Sequence, residues 1–391
     1  MLAVYQISGF YQISGFYRTM ASKTLLGLEL PEVVSRLEVF APTRLAESWD
    51  NVGLLIEPSP PKMVQTVMLT NDLTEDVMSE AVEKKVDLIL SYHPPIFRAL
   101  KRLAFSKTWK ERIAVTCLEN RIAVYSPHTC YDALNGGVND WLCEAFGRAR
   151  VTPLTPSLGA EPPLQVLVPL PPGPVRQLDW VDDLHELCRQ LPGASVEARY
   201  QDVVGDVRTL GSPLSEGPQP RLQLVVTTPR AHLAAVSALL AAAGVQPGCR
   251  VTAAEKVPEP GRGAGRLAEL DTKLTLTQAV DAVKAHLGLQ HVRLAEAVGK
   301  PSDSPVRTVA VCAGSGGSLL AGRSADLLLT GEMSHHEVLD ATHAGSHVVL
   351  CEHSNTERGF LKRLAERLGT LLSGQVEVMT SQADRDPLRV V

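Results

Sequence analysis

Histidines and carboxylates directly follow several apolar runs of this sequence. In chain order they are Tyr92 with His93, His128 with Asp132, Glu332 with His335 and His336, and His353 with Glu357. In open α/β sheets ligands bind at the carboxyl ends of the strands, so we expect these side chains at one sheet edge. Imidazole nitrogen and carboxylate oxygen are donors that suit zinc, iron and manganese. The pattern therefore predicts a divalent metal site.

A lone histidine at a strand end is more often a surface or hydrogen-bonded residue than a ligand. The prediction gains its force from four strand ends that present such groups together. The seven cysteines are scattered without a C-x-x-C pair, which argues against a structural thiolate site and against a disulfide framework.

Glu357 has two interpretations. Ser354 to Glu357 reads S-x-x-E, the pattern of a capping box at the start of a helix, and that role alone would explain the glutamate. The alternative is a metal ligand. We favour the ligand because His353 and the other strand-end groups converge with Glu357.

Two further motifs indicate less. The run "CAGSGGSLL" at 312–320 is a glycine-rich turn, but it lacks the G-K-[ST] of a P-loop and the spacing of a dinucleotide site. His335-His336-Glu337 does not form H-E-x-x-H. We expect these two histidines either to line a cavity or to begin a helix.

The elements that would position these residues alternate between short strands and helices, as in an α/β sheet with parallel strands. "TVMLTNDL", "VDLILSYHP" and "IAVYSPH" are predicted strands whose centres are apolar on successive residues, which is typical of strands covered on both faces. "VRTVAVCAG", "ADLLLTGE" and "HVVLCEH" repeat the pattern later in the chain.

Two proline- and glycine-rich stretches, 150–163 and 257–266, bracket a segment predicted to contain, in order, a strand, a helix, a polar turn region, a strand, a helix and a last strand. That order predicts a small ferredoxin-like α+β domain inserted into a discontinuous main α/β domain, whose mixed or parallel sheet is flanked by helices. The predicted bounds are an unstructured leader at 1–29, the first half of the main domain at 30–150, the insert at 164–256 and the second half at 266–391. The leader contains "YQISGF" twice in tandem.

Length and composition favour a globular protein of two or three domains. The chain has 391 residues, of which 45% are hydrophobic and 21% are charged, and its formal charge is −5 with both signs interspersed. This balance disfavours direct nucleic-acid binding, which needs clustered lysine and arginine. The longest apolar stretch, 231–245, is shorter than the ~20 residues of a membrane-spanning helix.

Five ordered motifs resemble one family. "ESWDNVGLLIEP", "DLILSYHPPIF", "YSPHTCYD", "GEMSHHE" and "CEHSNTERGF" are similar to the Ngg-one-interacting-factor-three-like family, whose bacterial members were labelled GTP cyclohydrolase type 2 homologues. The resemblance is to the animal branch and runs from about residue 30 to the C-terminus. It implies an α/β fold from both flanking thirds, an insert, homo-oligomers and a two-metal centre facing a cavity.

The resemblance also implies roles for particular residues. His93, Asp132, His353 and Glu357 match family metal ligands, and His128 matches a nearby polar position. Many bacterial members have two adjacent histidines where this chain has Tyr92-His93, so one ligand of the pair is replaced by a tyrosine that either coordinates weakly or packs. We therefore expect one zinc, iron or manganese ion, with a second ion as an open alternative.

Three functions remain in competition at this point. The resemblance implies a transcriptional corepressor or adaptor, a homodimer or higher oligomer that acts through a transcription-regulatory or signalosome-type protein partner in cytoplasm and nucleus. A metal-dependent hydrolase of a phosphoester or nucleotide-like molecule is the alternative, with His128 or Glu332 as proton carrier. A metal-storage protein is the third. We favour the adaptor, without direct nucleic-acid or membrane binding, and keep a mitochondrial location as an alternative.

Overall fold

The computed structural model describes residues 26–159, 163–170, 179–200, 222–253, 256–301 and 303–391. Contacts divide the chain into two compact units. Among the described residues, unit 1 consists of those up to 151 and those from 267 to 391, and unit 2 consists of those from 152 to 266. Unit 1 is therefore formed by two separate stretches of chain, and unit 2 is the stretch between them.

The strands follow in chain order. They are β1 (Leu28–Glu29), β2 (Gly53–Ile56), β3 (Met63–Val64), β4 (Thr66–Thr70), β5 (Leu88–Ser91), β6 (Ala123–Ser126), β7 (Ala149–Thr152), β8 (Thr155–Leu158), β9 (Leu164–Pro169), β10 (Ser195–Tyr200), β11 (Leu222–Thr228), β12 (Arg250–Ala253), β13 (Pro258–Ala264), β14 (Arg266–Thr275), β15 (Arg293–Ala295), β16 (Pro305–Ser315), β17 (Leu327–Glu332), β18 (His347–Leu350) and β19 (Glu377–Thr380).

The helices are interspersed with these strands. They are α1 (Leu30–Phe40), α2 (Glu75–Glu83), α3 (Trp109–Glu119), α4 (Thr129–Ala133), α5 (Val138–Cys143), α6 (Asp179–Gln190), α7 (Leu233–Ala242), α8 (Leu276–Leu287), α9 (Gly317–Leu320), α10 (His335–His343) and α11 (Phe360–Leu371).

Unit 1 contains two mixed sheets. The five-stranded sheet has the order β19-β4-β5-β6-β2, in which β19, β4, β5 and β6 are parallel and β2 is antiparallel to β6. The six-stranded sheet has the order β15-β18-β17-β16-β14-β7, with β16, β17 and β18 parallel and β15 antiparallel to β18. The predicted α/β fold class is confirmed.

The central strands are buried because both of their faces are covered. In β5 the side chains of Leu88 and Leu90 pack into one hydrophobic cluster, and that of Ile89 packs into another. In β6, Tyr125 packs into the first of these clusters and Val124 packs into the second. Period-2 geometry sends successive side chains to opposite faces, which explains why the sequence reads as an unbroken apolar run.

Local sequence sets several helix starts near these sheets. Thr108 and Glu111 form a capping box at α3, and Ser334 and Glu337 form one at α10. In each box the hydroxyl accepts from the backbone N–H three residues on and the glutamate accepts from the N-cap N–H. These ends are therefore fixed by residues within one turn of the helix.

Unit 2 carries a four-stranded sheet of order β10-β11-β9-β12, antiparallel throughout. With α6 after β9 and α7 after β11, the order is βαββαβ, the ferredoxin-like arrangement that the sequence predicts. Its core joins valines of β9 and β11 to apolar residues of both helices.

One strand differs from the prediction. The sequence predicts a polar turn region between α6 and β11, whereas Ser195–Tyr200 forms β10 and pairs with β11 in register. Its sequence, SVEARY, alternates between polar and apolar residues but carries charges, and cross-strand pairing at the sheet edge overrides that polarity.

Within the described part of the chain, no helix combines the length and apolarity that crossing a bilayer requires.

Candidate metal centre

Three side chains of unit 1 converge at strand ends. His93 lies two residues after β5, His353 lies three residues after β18, and Glu357 follows in the turn beyond it. One nitrogen or oxygen atom of each lies within 4.8 Å of the other two. The two sheets of unit 1 thus each contribute a histidine to one cluster.

The two imidazoles lie next to different oxygens of the Glu357 carboxylate. His93 Nε2 lies 3.3 Å from Glu357 Oε2, and His353 Nε2 lies 3.4 Å from Glu357 Oε1. Ligand atoms about 2.05 Å from a tetrahedral zinc ion stand roughly 3.3 Å apart. The spacing of these donor atoms therefore fits a shared cation.

Each histidine is also held at its other nitrogen by a carboxylate. His93 Nδ1 lies 2.9 Å from Asp72 Oδ1, and His353 Nδ1 lies 3.0 Å from Glu332 Oε2. A carboxylate on Nδ1 fixes the ring orientation and leaves Nε2 to face a metal. Both histidines are arranged in this way.

The electrostatics of the cluster favour a positive charge. Burial lowers the pKa of His93, but the hydrogen bonds with Asp72 and Glu357 outweigh it and raise the pKa to about 10. Burial opposes ionisation of Asp72, yet the hydrogen bond with His93 holds the pKa of that carboxyl below its usual value. The carboxylates thus stabilise an imidazolium at this position, and the same negative surroundings would stabilise a divalent cation.

Glu357 is a buried acid, only 3% exposed. Asn71 Nδ2 donates to its Oε2 at 3.1 Å, and the two histidines flank it. Asn71 Oδ1 is buried and has no hydrogen-bond partner among the described residues. A buried carboxyl group and an unsatisfied amide oxygen are costly unless further partners compensate them, which fits a site built for a cation.

Gly314, near the end of β16, leaves room for the cluster. A Cβ there would lie 2.7 Å from Glu357 Oε1 and 3.0 Å from His353 Nε2, and the backbone has a φ of +62°. Both the close approach and the left-handed conformation require glycine.

Asp132 and Tyr92 form a separate pair beside this cluster. The Tyr92 hydroxyl donates to Asp132 Oδ1. Burial raises the pKa of Asp132 to about 6, although the hydrogen bond from Tyr92 lowers it, and burial together with the Asp132 charge raises the pKa of Tyr92. Tyr92 is fully buried and serves as a hydrogen-bond donor.

His128 forms a third histidine–carboxylate pair. Its Nδ1 lies 2.7 Å from Asp50 Oδ1, and the other oxygen of Asp50 accepts from the backbone and hydroxyl of Thr129. Burial opposes ionisation, but the bonds from His128 and Thr129 lower the pKa of Asp50. The His128 ring centroid lies 5.3 Å from that of His93, so this pair adjoins the cluster.

His335 and His336 begin α10 and are exposed, their rings 5.5 Å apart. Both residues begin the helix, and His335 also lines a cavity together with Met333, Val338 and Leu350. The neighbouring Glu337 completes the capping box with Ser334.

The capping-box interpretation of Ser354 and Glu357 is wrong. Ser354–Thr356 form a short 3₁₀ turn whose N-cap residue, His353, makes no side-chain cap, and α11 begins only at Phe360. The Ser354 hydroxyl donates instead to Asp386 at 2.6 Å. Glu357 is left to face the histidines.

Sequence reasoning missed four residues around the cluster, which are Asp50, Asn71, Asp72 and Gly314. Asn71 and Asp72 directly follow β4, the same signal that identified His93, but the sequence interpretation placed them inside the strand. No spacing signal connects Asp50 with His128, because their pairing arises from the fold.

Comparisons with known proteins agree on one family. The Duf34/NIF3 (NGG1p interacting factor 3) family model matches residues 28–387. NIF3-like protein 1 of Rattus norvegicus is 46% identical over 364 residues, covering 93% of each chain, and that of Homo sapiens is 44% identical over 367 residues with the same coverage. The NGG1-interacting factor 3 of Saccharomyces cerevisiae is 28% identical over 382 residues, 94% of this chain and 99% of its own.

Solved structures give the same fold. A Bacillus cereus protein related to NIF3 superimposes with a TM-score of 0.63 at 27% identity, covering 93% of this chain and 99% of its own. A Staphylococcus aureus protein superimposes with a TM-score of 0.71 at 22% identity and the same coverage, which shows likeness of fold alone.

Proposed function

The chain belongs to the Duf34/NIF3 family, and on that premise we propose that it is a metal-binding regulatory protein that acts through protein partners. The proposal that the protein binds a metal is supported by the cluster of His93, His353 and Glu357, whose donor atoms lie within 4.8 Å of one another. The partner part rests on the yeast relative, which is named as an interacting factor of NGG1.

The proposed cofactor is a divalent cation. Two imidazoles and a carboxylate are the donor set of His₂Glu zinc sites and of non-haem iron sites, and manganese also accepts these ligands. Asp132 is also a proposed ligand because the family resemblance matches it to a ligand position, although it pairs with Tyr92 and is not one of the three residues whose donor atoms lie within 4.8 Å of one another. A second cation, held on the Asp132 side, remains the open alternative.

The proposed partner is a transcription-regulatory or signalosome-type protein, bound by a homo-oligomer in cytoplasm and nucleus, with a mitochondrial location as the alternative. The chain's net charge of −5 supports contacts with protein and not with nucleic acid.

A metal-dependent hydrolase is the second candidate, and the His128–Asp50 pair favours it. A bound divalent cation acidifies water and polarises a phosphoryl oxygen. His128 is a proposed proton carrier, because Asp50 orients its ring and the ring centroid lies 5.3 Å from that of His93. Glu332, which contacts His353, is the other proposed carrier.

Two measurements test the proposals. Elemental analysis of the purified chain should find about one divalent ion per chain in the wild type and less in Glu357→Gln and Asp132→Asn proteins. A phosphoester hydrolysis screen with and without chelator then separates the candidates. Turnover that chelation abolishes favours the hydrolase, whereas metal without turnover, and binding to an NGG1-type protein that survives His353→Ala, favours the adaptor. A metal-free wild type contradicts both metal-based proposals.

A further inference from the structure

Two exposed aromatic rings touch each other beside the candidate metal centre. Trp49 is 59% exposed and Phe97 is 41% exposed, and their ring centroids lie 6.0 Å apart at an interplanar angle of 57°. Single exposed aromatic residues are common on protein surfaces. A pair in contact at the edge of a polar site is a different feature, because it offers apolar area where the neighbouring groups are charged.

The segments that bear the two rings are fastened in place. Asn51 Nδ2 donates to the carbonyl of Ile96, which joins the residues next to Trp49 to those next to Phe97. The Glu47 backbone N–H donates to Thr129 Oγ1 at 3.0 Å, so the first segment is also tied to the start of α4. Surfaces held in advance lose less entropy when they bind a ligand.

The aromatic pair continues into the metal centre through His128. Trp49 and Phe97 lie 6.0 Å and 6.4 Å from the His128 ring, both close to perpendicular to it. The His128 ring in turn lies 5.3 Å from that of His93. Two ring contacts therefore separate the exposed pair from a proposed metal ligand.

The chain after Phe97 is cationic. Arg98, Lys101 and Arg102 are all exposed in the segment that leads towards α3. A positive segment next to a stacking surface favours an anionic partner. A cation at His93 and Glu357 would add to that preference.

We propose that Trp49 and Phe97 form a stacking subsite for the planar ring of an aryl or heteroaryl phosphate whose phosphate faces the metal centre. The inference rests on the proposed metal site and adds the class of small ligand that the site recognises. An aromatic platform stacks against any flat ring, whatever substituents the ring carries. The subsite therefore selects for a flat ring and not for one particular compound.

The test compares two probes that differ only in the ring. Phenyl phosphate and methyl phosphate are titrated calorimetrically into the full-length protein, with and without added zinc. We expect phenyl phosphate to bind about tenfold more tightly to the wild type, since ring stacking contributes on that order. Trp49→Leu and Phe97→Leu should each reduce this ratio towards one while the zinc content stays unchanged. Trp109→Leu is the matched control, because Trp109 is also exposed, at 42%, but lies at the start of α3.

The outcomes separate this inference from the proposed function. A ratio near one in the zinc-loaded wild type overturns the stacking subsite and leaves the metal site standing. A preserved ratio without zinc binding supports the subsite and contradicts the metal proposal. If Trp49→Leu changes the sedimentation coefficient and the wild type shows no ring preference, the pair is a contact between copies of this chain, and the inference is wrong.

Discussion

The two sheets of unit 1 build the same arrangement with different degrees of burial. On the five-stranded side, the His93 side chain is 22% exposed and is held by Asp72, itself 35% exposed. On the six-stranded side, the His353 side chain is 38% exposed and is held by Glu332, itself 46% exposed. Glu357, which is buried, joins the two halves.

The difference indicates how each half positions its histidine. The five-stranded half relies on a buried polar network in which Asn71 contacts Glu357 and its backbone N–H donates to Asp384 at 2.8 Å. The six-stranded half relies on space, because Gly314 lets His353 and Glu357 approach the backbone. Buried networks hold geometry more firmly than exposed ones, so we expect the halves to differ in their response to substitution.

The largest effect is expected where the halves meet. Glu357→Gln removes the shared negative charge while it keeps the size of the side chain, so metal affinity should fall by more than about 100-fold, beyond the loss typical of supporting residues. Zinc titration with a competing chelator measures this. Glu337→Gln is the control. A capping box accepts glutamine, so the metal affinity of this variant should equal that of the wild type. Full metal binding by Glu357→Gln would refute the ligand assignment.

Gly314→Ala tests the space on the six-stranded side. The added methyl meets Glu357 and His353, so we expect metal affinity to fall about tenfold or more and the free energy of unfolding to fall by about 2 kcal/mol. Gly322→Ala is a matched control, because its φ of +70° carries the same backbone cost but nothing lies within 4 Å of the new Cβ. Equal metal affinity in the two variants would show that the close approach does not matter.

Paired substitutions of the supporting carboxylates test the comparison itself. Asp72→Asn should lower metal affinity about 10- to 100-fold, within the range for residues that orient metal-bound histidines. Glu332→Gln should have a smaller effect, about fivefold or less, since water replaces the exposed carboxylate more readily. The reverse order, measured by the same titration, would contradict the view that burial makes the five-stranded half the more sensitive one.

The smallest effect concerns the C-terminal segment that supports the five-stranded half. Burial opposes ionisation of Glu80, but hydrogen bonds with Lys84, Ser381 and the backbone of 382–383 lower its pKa from 4.5 to about 2. A depressed carboxyl pKa stabilises the fold above pH 4.5, and the contribution is lost as pH falls towards 2. Glu80→Gln should therefore lower the free energy of unfolding by about 1 kcal/mol at pH 6, because solvent screens such pairs.

Urea unfolding at pH 6 and pH 3 checks this linkage. The gap between the wild type and Glu80→Gln should narrow at pH 3, where the wild-type advantage is partly titrated away. A gap of constant size at both pH values would mean that the charge of Glu80 does not contribute.

The sequence predicted most of the fold because its signals are local. Strands such as β5 and β6 read as apolar runs, and the ferredoxin-like order of unit 2 follows from its strand and helix sequence. Strand β10 was missed because its pairing with β11, and not its own polarity, makes it a strand.

The candidate site was only partly predictable. The strand-end rule singled out His93, His353 and Glu357, which the structure brings together. It did not single out the capping box of Ser334 and Glu337, although these residues carry the same local S-x-x-E pattern as Ser354 and Glu357, and it did not reveal the approach of Gly314 to Glu357. The approach of Gly314 to Glu357 depends on how distant segments pack, and a one-dimensional pattern carries no record of that packing.

An anomalous-difference map of zinc-soaked crystals tests the central claim most directly. We predict a single strong peak about 2.0–2.2 Å from His93 Nε2, His353 Nε2 and a carboxylate oxygen of Glu357. A map with no peak at these three side chains, at a zinc concentration that saturates binding in solution, would contradict the claim that the two sheets share a cation.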